Sequence, residues 1–520
     1  MEQKKKIGIG WIIIDVILVI IAIVSLFLLQ KMSADYKDAL TWNDAKLVLY
    51  EGPKSLQDAT EEDLKSAPEN ARDFTLKHCT DTKVSVNGYD CYVYDTNVNH
   101  SRTWSSDYMP PQSRTPVTYF DFEGRADIVV SVPDMDIESV KVSPLNDDIQ
   151  AEVDKAAKTV AFTVTKPGAY TVTFNDSPQR AVHIFANELE KDVPDFDDEN
   201  VVYVAPGEWE IGTIALESGQ TLYVSGGAVV HGTVNASYVD DIKIMGRGII
   251  DGSEYTGWKG QSAKIAMQID NCNNVSVEGI MLLNPNAWVC QGYETKDGVI
   301  DNIKIISSRP NGDGITLQSC QNMEVKNCFV RSWDDSLVIK NYSGNSDNIS
   351  FKNIQVWTDL AQSMEIGYET NKGQKENAEI TNISFEDITV LHNFHKPVIS
   401  VHNADDAVVD GVLFKDITVE DAQMGSGDGS EAPYLIDLNI ALSGNWSSTR
   451  ERGQIKNITI DGVTVLSGKE CPSRINGYDA DHMVDGVTIK NLNVLGKDIK
   501  DFAEGGFEIN EDTTANLSIE

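Results

Sequence analysis

A short alternation of apolar and polar residues, usually opened by Asn or Asp, recurs from about residue 240 almost to the end of the chain. Each copy has the period-two pattern of a short strand with one buried face. One copy cannot bury that face alone, so successive copies must stack around a shared core. The repeat therefore predicts an all-β fold, a parallel β-solenoid, with the Asn and Asp side chains forming a ladder at a turn. The copies open at Asp241, Asn274, Asn302, Asn322, Asn348, Asn382, Asp406, Asn457 and Val484, most of them roughly 20 to 34 residues apart.

Two segments separate this solenoid, predicted over residues 196–520, from the N-terminus. Between Val84 and Phe185 the chain has short strand patterns divided by Pro- and Gly-bearing turns. This pattern predicts a small antiparallel β-sandwich over residues 76–195. Residues 31–75 are charged and poor in β-branched residues, which indicates a stalk or a partly helical lead-in.

The N-terminus carries a basic cluster, Lys4 to Lys6, followed by a nearly unbroken apolar run from Ile7 to Leu29 that only Asp15 and a few small residues interrupt. The run is long enough to span a bilayer as a helix. A cleaved signal peptide is the alternative, but the run exceeds a typical signal core and no small-x-small cleavage pattern follows it. The sequence therefore predicts a single-pass anchor over residues 1–30, with the rest of the chain outside the cell membrane.

Charge and cysteine content narrow the range of partners. The formal net charge of −37 makes nucleic acid an unsuitable partner, because phosphate binding needs clustered Lys and Arg. It also argues against a strongly anionic polymer unless a local basic patch is present. Seven cysteines do not make a disulfide framework in a chain of this length, although Cys79 and Cys91 could pair. No zinc-like spacing is present, so we expect no metal and no cofactor.

Three carboxylates are the strongest candidates for chemistry. Asp313 precedes the adjacent pair Asp334 and Asp335 by about one solenoid coil, so stacking should bring the three together. Glycoside hydrolysis needs one protonated acid at the leaving oxygen and one carboxylate that attacks carbon or activates water. Like charges this close cannot all ionise, so one pKa should rise. The alternative is that Asp-Gly and Asp-Asp mark ordinary turns.

At these residues the sequence resembles the clan of right-handed parallel β-helix glycosidases that contains family 28 polygalacturonases and family 49 dextranases. The family 28 pattern of Asn-x-Asp-Gly, then Asp-Asp one coil later, falls on Asn311, Asp313 and Gly314, then on Asp334 and Asp335. The resemblance implies an inverting single displacement. In it Asp334 would be the general acid, and Asp313 with Asp335 would hold and deprotonate the water.

Other family 28 landmarks differ here. Polygalacturonases continue with Gly-His-Gly and later Arg-Ile-Lys, whereas Gln362 stands in place of the His and no Arg-Ile-Lys follows at the expected place. A sandwich before the solenoid resembles the dextranase branch. The expectation therefore leans to a neutral α-glucan substrate, with a pectic polymer as the alternative. Asn311, Lys340, Gln362 and Glu365 are predicted to bind the polysaccharide, while His402 is predicted to be structural.

Two other functions remain compatible with a solenoid. A polysaccharide lyase would need a Lys or Arg base and usually calcium held by acidic residues. A surface adhesin or carbohydrate-binding solenoid would share the anchor and the coil repeat, but would have no reason to place three acids one coil apart. Oligomeric state cannot be read from these patterns.

Overall fold

The chain is described by a computed structural model with an almost entirely β architecture. The anchor predicted over residues 1–30 lies outside the described residues and receives no support from the structure. Among the residues that are described, no helix is long and apolar enough to cross a membrane. The described residues are 40–42, 45–58, 76–99, 113–178, 181–255, 263–425 and 433–520.

The N-terminal part is the predicted sandwich of two sheets around an apolar core that includes Val84, Phe120, Ile128, Phe162 and Ile184. Its strands are β1 (Leu40–Trp42), β2 (Ala45–Leu49), β3 (Lys77–His78), β4 (Lys83–Val86), β5 (Tyr89–Asp90), β6 (Tyr94–Val98), β7 (Ser113–Glu123), β8 (Ala126–Ser131), β9 (Val140–Ser143), β10 (Glu152–Asp154), β11 (Thr159–Val164), β12 (Gly168–Phe174) and β13 (Ala181–Glu188), with helix α1 (Lys54–Asp58) after β2 and a 3-10 turn (Leu145–Asp147) after β9.

One sheet has eight strands along the path β1-β2-β7-β13-β12-β9, with β6 on β7 and β3 on β6, and the other runs β10-β11-β8-β4-β5. Most pairs are antiparallel, as predicted, but β13 runs parallel to β7. The sandwich begins earlier than residue 76, because β2 falls inside the segment assigned to a stalk and pairs antiparallel with β7.

From Val201 onward the chain forms a single 28-stranded sheet wound into a solenoid. The strands are β14 (Val201–Val204), β15 (Gly207–Ala215), β16 (Thr221–Val224), β17 (Ala228–Ser237), β18 (Asp240–Gly246), β19 (Ile249–Asp251), β20 (Met267–Asp270), β21 (Asn273–Glu278), β22 (Met281–Leu283), β23 (Cys290–Tyr293), β24 (Lys296–Asp301), β25 (Lys304–Ile306), β26 (Ile315–Gln318), β27 (Gln321–Lys326), β28 (Phe329–Ser332), β29 (Leu337–Lys340), β30 (Ser346–Thr358), β31 (Met364–Tyr368), β32 (Glu379–Asn393), β33 (Ile399–Asn403), β34 (Val408–Val419), β35 (Ile436–Ile440), β36 (Gln454–Val465), β37 (Ser473–Asn476), β38 (Val484–Val494), β39 (Lys497–Asp498), β40 (Phe507–Ile509) and β41 (Thr514–Ile519), with a 3-10 turn (Glu511–Thr513) before β41.

Successive coils pair in parallel and in register, so β26 lies on β29, β29 on β31 and β31 on β33. The inward-facing side chains form one continuous apolar core. Within it Phe351, Phe385 and Phe414 stack face to face, with ring centroids 4.9 and 5.0 Å apart. This confirms the parallel solenoid predicted from the repeat.

The predicted side-chain ladder is present at the turns. Asn348 Nδ2 donates to Asn322 Oδ1 at 2.9 Å, and Asn322 Nδ2 donates to Asp297 Oδ1 at 2.8 Å. Each of these residues has a positive φ, a conformation that Asn and Asp tolerate better than most residues. The repeated residue type is therefore explained by both backbone shape and hydrogen bonding.

The sandwich packs against the solenoid strands that precede the turns of the acidic residues. Tyr119 and Phe185 of the sandwich share an apolar cluster with Leu283, Phe329 and Trp357 of the solenoid. Because the acids lie in the turns that follow these strands, the acid cluster and the sandwich occupy neighbouring sides of the same coils.

Candidate active site

The three predicted carboxylates lie in two consecutive turns, just before β26 and β29. Gly314 N donates to Asp335 O at 2.8 Å, so the two turns are stacked directly on each other. A Cβ at Gly314 would come within 2.5 Å of the Ser336 carbonyl oxygen, so only glycine allows this approach. The structure thus brings Asp313, Asp334 and Asp335 together, as the one-coil offset predicted.

Asp334 is held by main-chain donors. Asn311 N donates to Asp334 Oδ2 at 3.0 Å, and Asp335 N donates to Asp334 Oδ1 at 3.1 Å. Hydrogen bonds of this kind fix the orientation of the carboxyl group. Asn311, predicted to bind substrate, therefore contacts the acid group through its backbone, at a positive φ of 56°.

Asp313 is buried beside a cation. Lys340 Nζ lies 3.4 Å from Asp313 Oδ2 and 3.4 Å from Glu369 Oε2. Burial raises the pKa of Asp313 to about 7, since the charges of Asp334 and Glu369 add to the effect and Lys340 only partly opposes it. Burial alone would lower the pKa of Lys340, but the carboxylates around it raise that pKa well above its usual value. Lys340 is therefore the local counter-ion of the acid cluster.

Asp335 receives Gln362 N on its Oδ1 at 3.2 Å, so Gln362 also acts on the cluster through its backbone. Loss of water around Asp335, together with the nearby charges of Asp334 and Asp313, raises the pKa of Asp335 well above its ordinary value. The predicted rise in pKa therefore occurs, and it affects Asp313 and Asp335. Carboxyl groups with raised pKa values can accept the proton of an attacking water molecule near neutral pH.

Glu365, predicted to bind substrate, lies instead in a buried ionic ladder on the outward face of β31, β33, β35 and β37. His402 Nδ1 lies 3.0 Å from both carboxylate oxygens of Glu365, and His402 Nε2 lies 2.9 Å from Asp437 Oδ2. Asp437 in turn accepts two bonds from Arg474, at 2.8 and 2.7 Å. Ser400 Oγ completes the set by donating to Glu365.

The ladder fixes the charge of its members. Burial lowers the pKa of His402, but Glu365 and Asp437 overcome this and raise it to about 10, so the imidazole is a cation at neutral pH. Burial also opposes ionisation of Asp437, yet His402 and Arg474 hold the pKa of Asp437 below its usual range. Tyr368 covers His402 with a stacked ring whose centroid lies 4.4 Å away. His402, predicted to be structural, thus lies between two buried carboxylates.

Asp437 and Arg474, which complete the ladder, are not among the residues predicted from the sequence. The register of the coils relates both to Glu365, since Glu365, Ser400, Asp437 and Arg474 are successive Cα partners on one row. Uneven loop lengths hide that row in the linear sequence.

A separate group, Glu210, His231 and Glu254, has the donor types of a metal site, with donor atoms within 4.8 Å of one another. However, His231 Nε2 lies 2.7 Å from Glu208 Oε1 and its Nδ1 lies 3.0 Å from Asp251 Oδ2. Burial opposes the charge, but these carboxylates raise the pKa of His231 to about 11. Because both ring nitrogens then carry protons, the imidazole has no lone pair for a metal.

The family model described as glycosyl hydrolases family 28 matches residues 212–504 of the sequence. The chain is 28% identical over 304 residues to a probable exopolygalacturonase B of Aspergillus fumigatus, covering 46% of this chain and 65% of the relative. It is 25% identical over 276 residues to an exopolygalacturonase of Zea mays, covering 49% of this chain and 62% of the relative. The alignments thus span less than two thirds of these relatives.

Among solved structures, Dex49A from Penicillium minioluteum superimposes with a TM-score of 0.67 over 93% of this chain and 100% of that chain, at 13% identity. A likeness at this identity shows a shared arrangement of sandwich and solenoid. It does not transfer a substrate.

Proposed function

This chain belongs to family 28 of the glycosyl hydrolases, and from that premise we propose that it hydrolyses O-glycosidic bonds in a pectic polysaccharide. The observation that carries the proposal is the stacking of Asp313 beneath Asp334 and Asp335 in two hydrogen-bonded turns. The matching relatives are polygalacturonases. The expectation of a neutral α-glucan substrate rested on the sandwich, and among the comparisons only a likeness of fold supports it. We therefore propose the pectic alternative.

In the proposed reaction, Asp334 donates a proton to the leaving glycosidic oxygen while the Asp313 and Asp335 pair holds and deprotonates a water molecule that attacks the anomeric carbon. The bond from the anomeric carbon to the leaving oxygen breaks as the bond to water forms, and the anomeric configuration inverts. Afterwards the proton resides on the Asp313 and Asp335 pair and Asp334 is ionised. The raised pKa of Asp313 makes the pair a suitable acceptor for that proton. Return of a proton to Asp334 then begins the next turnover.

The supporting residues have separate tasks. Lys340 limits the repulsion between the acids, and the backbone N–H groups of Asn311 and Gln362 orient Asp334 and Asp335. Without this support three neighbouring carboxyl groups would move apart or all take up protons.

The test is release of reducing ends by the full-length protein from pectin, de-esterified polygalacturonate and dextran, with the anomer of the first product read by NMR. Cleavage of a pectic polymer with inversion, unaffected by EDTA, supports the proposal. An unsaturated product that needs calcium would instead show a lyase, and glycan binding without any cleavage would show a carbohydrate-binding solenoid. Cleavage of dextran alone would support a neutral α-glucan as the substrate instead.

We also propose that the apolar run from Ile7 to Leu29 holds the enzyme on the outside of the cell membrane. The test is fractionation of expressing cells followed by protease treatment of intact cells. Recovery of the chain in the membrane fraction, with loss of the solenoid on protease treatment, supports the proposal. Recovery of the full-length chain in the soluble fraction contradicts it.

A further inference from the structure

We infer that the substrate-binding face beside the acids accepts sugar units without a free carboxylate, such as methyl-esterified galacturonate or a neutral sugar. This inference rests on the proposed function and names the chemical class of unit that the same cleft binds. It follows from the two sides of the acid cluster, which are built differently. On neither side do the described residues offer a cation available to a uronate.

One row of Cα partners passes through the site from coil to coil. It runs from Gln291 through Thr316 and Val338 to Glu365, and continues through Ser400 and Asp437 to Arg474. The residues that alternate with this row along the strands, such as Ile315 and Leu317, belong to the solenoid core. The row therefore lies on the outward face, and the acids lie beside its middle.

On the N-terminal side of the acids the residues of this row are uncharged, and the nearby Arg309 donates to the backbone carbonyl oxygens of Ser253 and Tyr255. Gln291 Nε2 donates to Gln318 Oε1 at 2.8 Å, and Gln318 is the Cα partner of Lys340. Three buried atoms here have no hydrogen-bond partner among the described residues: Gln291 Oε1, Thr316 Oγ1 and Gln318 Nε2. A buried polar atom without a partner is unfavourable, so these atoms are suited to a ligand that both donates and accepts hydrogen bonds. Sugar hydroxyl groups have that property.

On the C-terminal side the charges neutralise one another. His402 lies between Glu365 and Asp437, and Arg474 forms a two-point pair with Asp437. The guanidinium of Arg474 also lies 4.6 Å from the centroid of the Tyr434 ring. A uronate entering here would have to compete with carboxylates already bound to these cations.

The remaining cations near the acids are engaged as well. Lys340 contacts both Asp313 and Glu369, and Lys372 lies 3.8 Å from Glu369 and 3.2 Å from the Tyr342 hydroxyl. Lys396, in the turn before β33, also has an interaction within the protein. The formal net charge of −37 of the whole chain adds a field that repels an anionic polymer.

Aromatic rings offer the complementary contact. The half-buried Tyr368 ring covers His402, and the half-buried Trp288 ring lies 5.8 Å from Lys340 Nζ. An aromatic ring presents a large apolar face, which suits the C–H face of an uncharged pyranose. The cleft therefore combines apolar platforms with neutral hydrogen-bonding groups.

The first experiment compares kcat/KM of the full-length protein on highly methyl-esterified homogalacturonan and on the same preparation after complete de-esterification. We expect the esterified polymer to be cleaved at least about tenfold faster, a difference equivalent to one good hydrogen bond or ion pair. Added salt should raise the rate on the de-esterified polymer by screening repulsion, and should leave the esterified rate unchanged. Cleavage of rhamnogalacturonan, which contains neutral rhamnose units, would show that the uncharged unit is a neutral sugar. Cleavage of the esterified homogalacturonan alone would show that it is methyl-esterified galacturonate.

The second experiment uses Thr316→Val, which removes a hydroxyl without a protein partner and keeps the side-chain shape. We expect KM for the preferred polymer to rise by about three- to tenfold, while the melting temperature stays equal or rises. Ser225→Ala is the matched control, because Ser225 Oγ is also buried without a partner but lies in an early turn of the solenoid far from the acids along the chain. Its KM should not change.

Faster cleavage of the de-esterified polymer, or an unchanged KM in Thr316→Val, would overturn the inference while leaving a pectic hydrolase in place. In that case, a large loss of activity on the de-esterified polymer in Lys396→Met would identify Lys396 as the group that contacts the substrate carboxylate. Absence of cleavage on every pectic polymer would instead overturn the proposed function.

Discussion

Asp334 differs from its two acidic neighbours in its hydrogen bonding, because it accepts two backbone N–H groups. Asp313 faces a lysine instead, and burial raises its pKa to about 7. Identical side chains therefore have different surroundings within two adjacent turns. That difference is what an acid and base pair requires.

The first prediction concerns Asp334→Asn. The amide keeps the shape but cannot donate a proton to the leaving oxygen, so kcat on a polymer should fall by about 10²–10⁴-fold. A substrate with a much better leaving group, such as a dinitrophenyl glycoside of the same sugar, needs little protonation and should lose far less. Parallel kinetics on the two substrates make the measurement. Equal losses on both would remove Asp334 from the role of general acid.

The second prediction concerns pH. The pair of Asp313 and Asp335 must be ionised to take a proton from water, so kcat/KM should fall on the acid side as Asp313 takes up a proton, near its pKa of about 7. Lys340 favours the ionised form of Asp313, so Lys340→Met should raise that pKa and move the acid limb to higher pH. The more exposed Lys372, varied to Met, is the control and should move it less. A shift of the limb to lower pH in Lys340→Met would contradict the assignment.

At this scale the sequence predicted the juxtaposition of the three acids better than their surroundings. Asp313, Asp334 and Asp335 could be identified because two turns one coil apart carry them. Glu365 and Gln362 were predicted to contact substrate, but the structure shows Glu365 bonded to His402 and Gln362 acting through its backbone N–H. Such partners depend on side-chain direction and register, which the pattern of residue types does not encode.

At the scale of strands and turns, the Asn ladder links coils that the sheet already joins. Each rung lies at a residue with positive φ, so it also satisfies a backbone shape that most side chains avoid. The period of these residues made the solenoid predictable. The opening strands of the sandwich were not predictable in the same way, because β2 is short and its partner β7 is distant in sequence.

The third prediction tests one rung. Asn348→Ala removes the hydrogen bond to Asn322 and places an alanine at φ 53°, so the free energy of unfolding should fall by about 2–3 kcal/mol. Asn348→Gly is the control, since glycine accepts this φ and loses only the hydrogen bond, about 1 kcal/mol. Denaturant unfolding of both variants measures the difference. Equal losses would mean that backbone strain contributes nothing at this turn.

At the scale of the whole molecule, the sandwich and the solenoid share buried charge as well as apolar surface. Arg247 Nε of the solenoid lies 3.1 Å from Asp121 Oδ2 of the sandwich, and both side chains are almost fully buried. A buried pair of this kind couples the two parts, because separating them would remove Asp121 from Arg247, which would keep Glu278 within the solenoid as its acidic partner.

The fourth prediction is that the two parts melt in one transition, and that Asp121→Asn destabilises that transition by about 1–3 kcal/mol, because Arg247 then loses Asp121 and keeps Glu278 and Glu190. Differential scanning calorimetry measures both quantities. Asp127→Asn is the control, because its pair with Arg125 is largely exposed and should change little. Two separate transitions in the unchanged protein would show that the interface does not join the parts.

The in-register stacking of coils also limits where the solenoid of this protein can gain or lose coils during evolution. Each coil contacts mainly its neighbours, so a coil can be gained or lost at the far end of the stack without disturbing the acids. A coil inserted between β26 and β29 would place a new layer between Asp313 and Asp335 and end catalysis. Lineages are therefore free to lengthen the cleft outward, one coil at a time, but not from its centre.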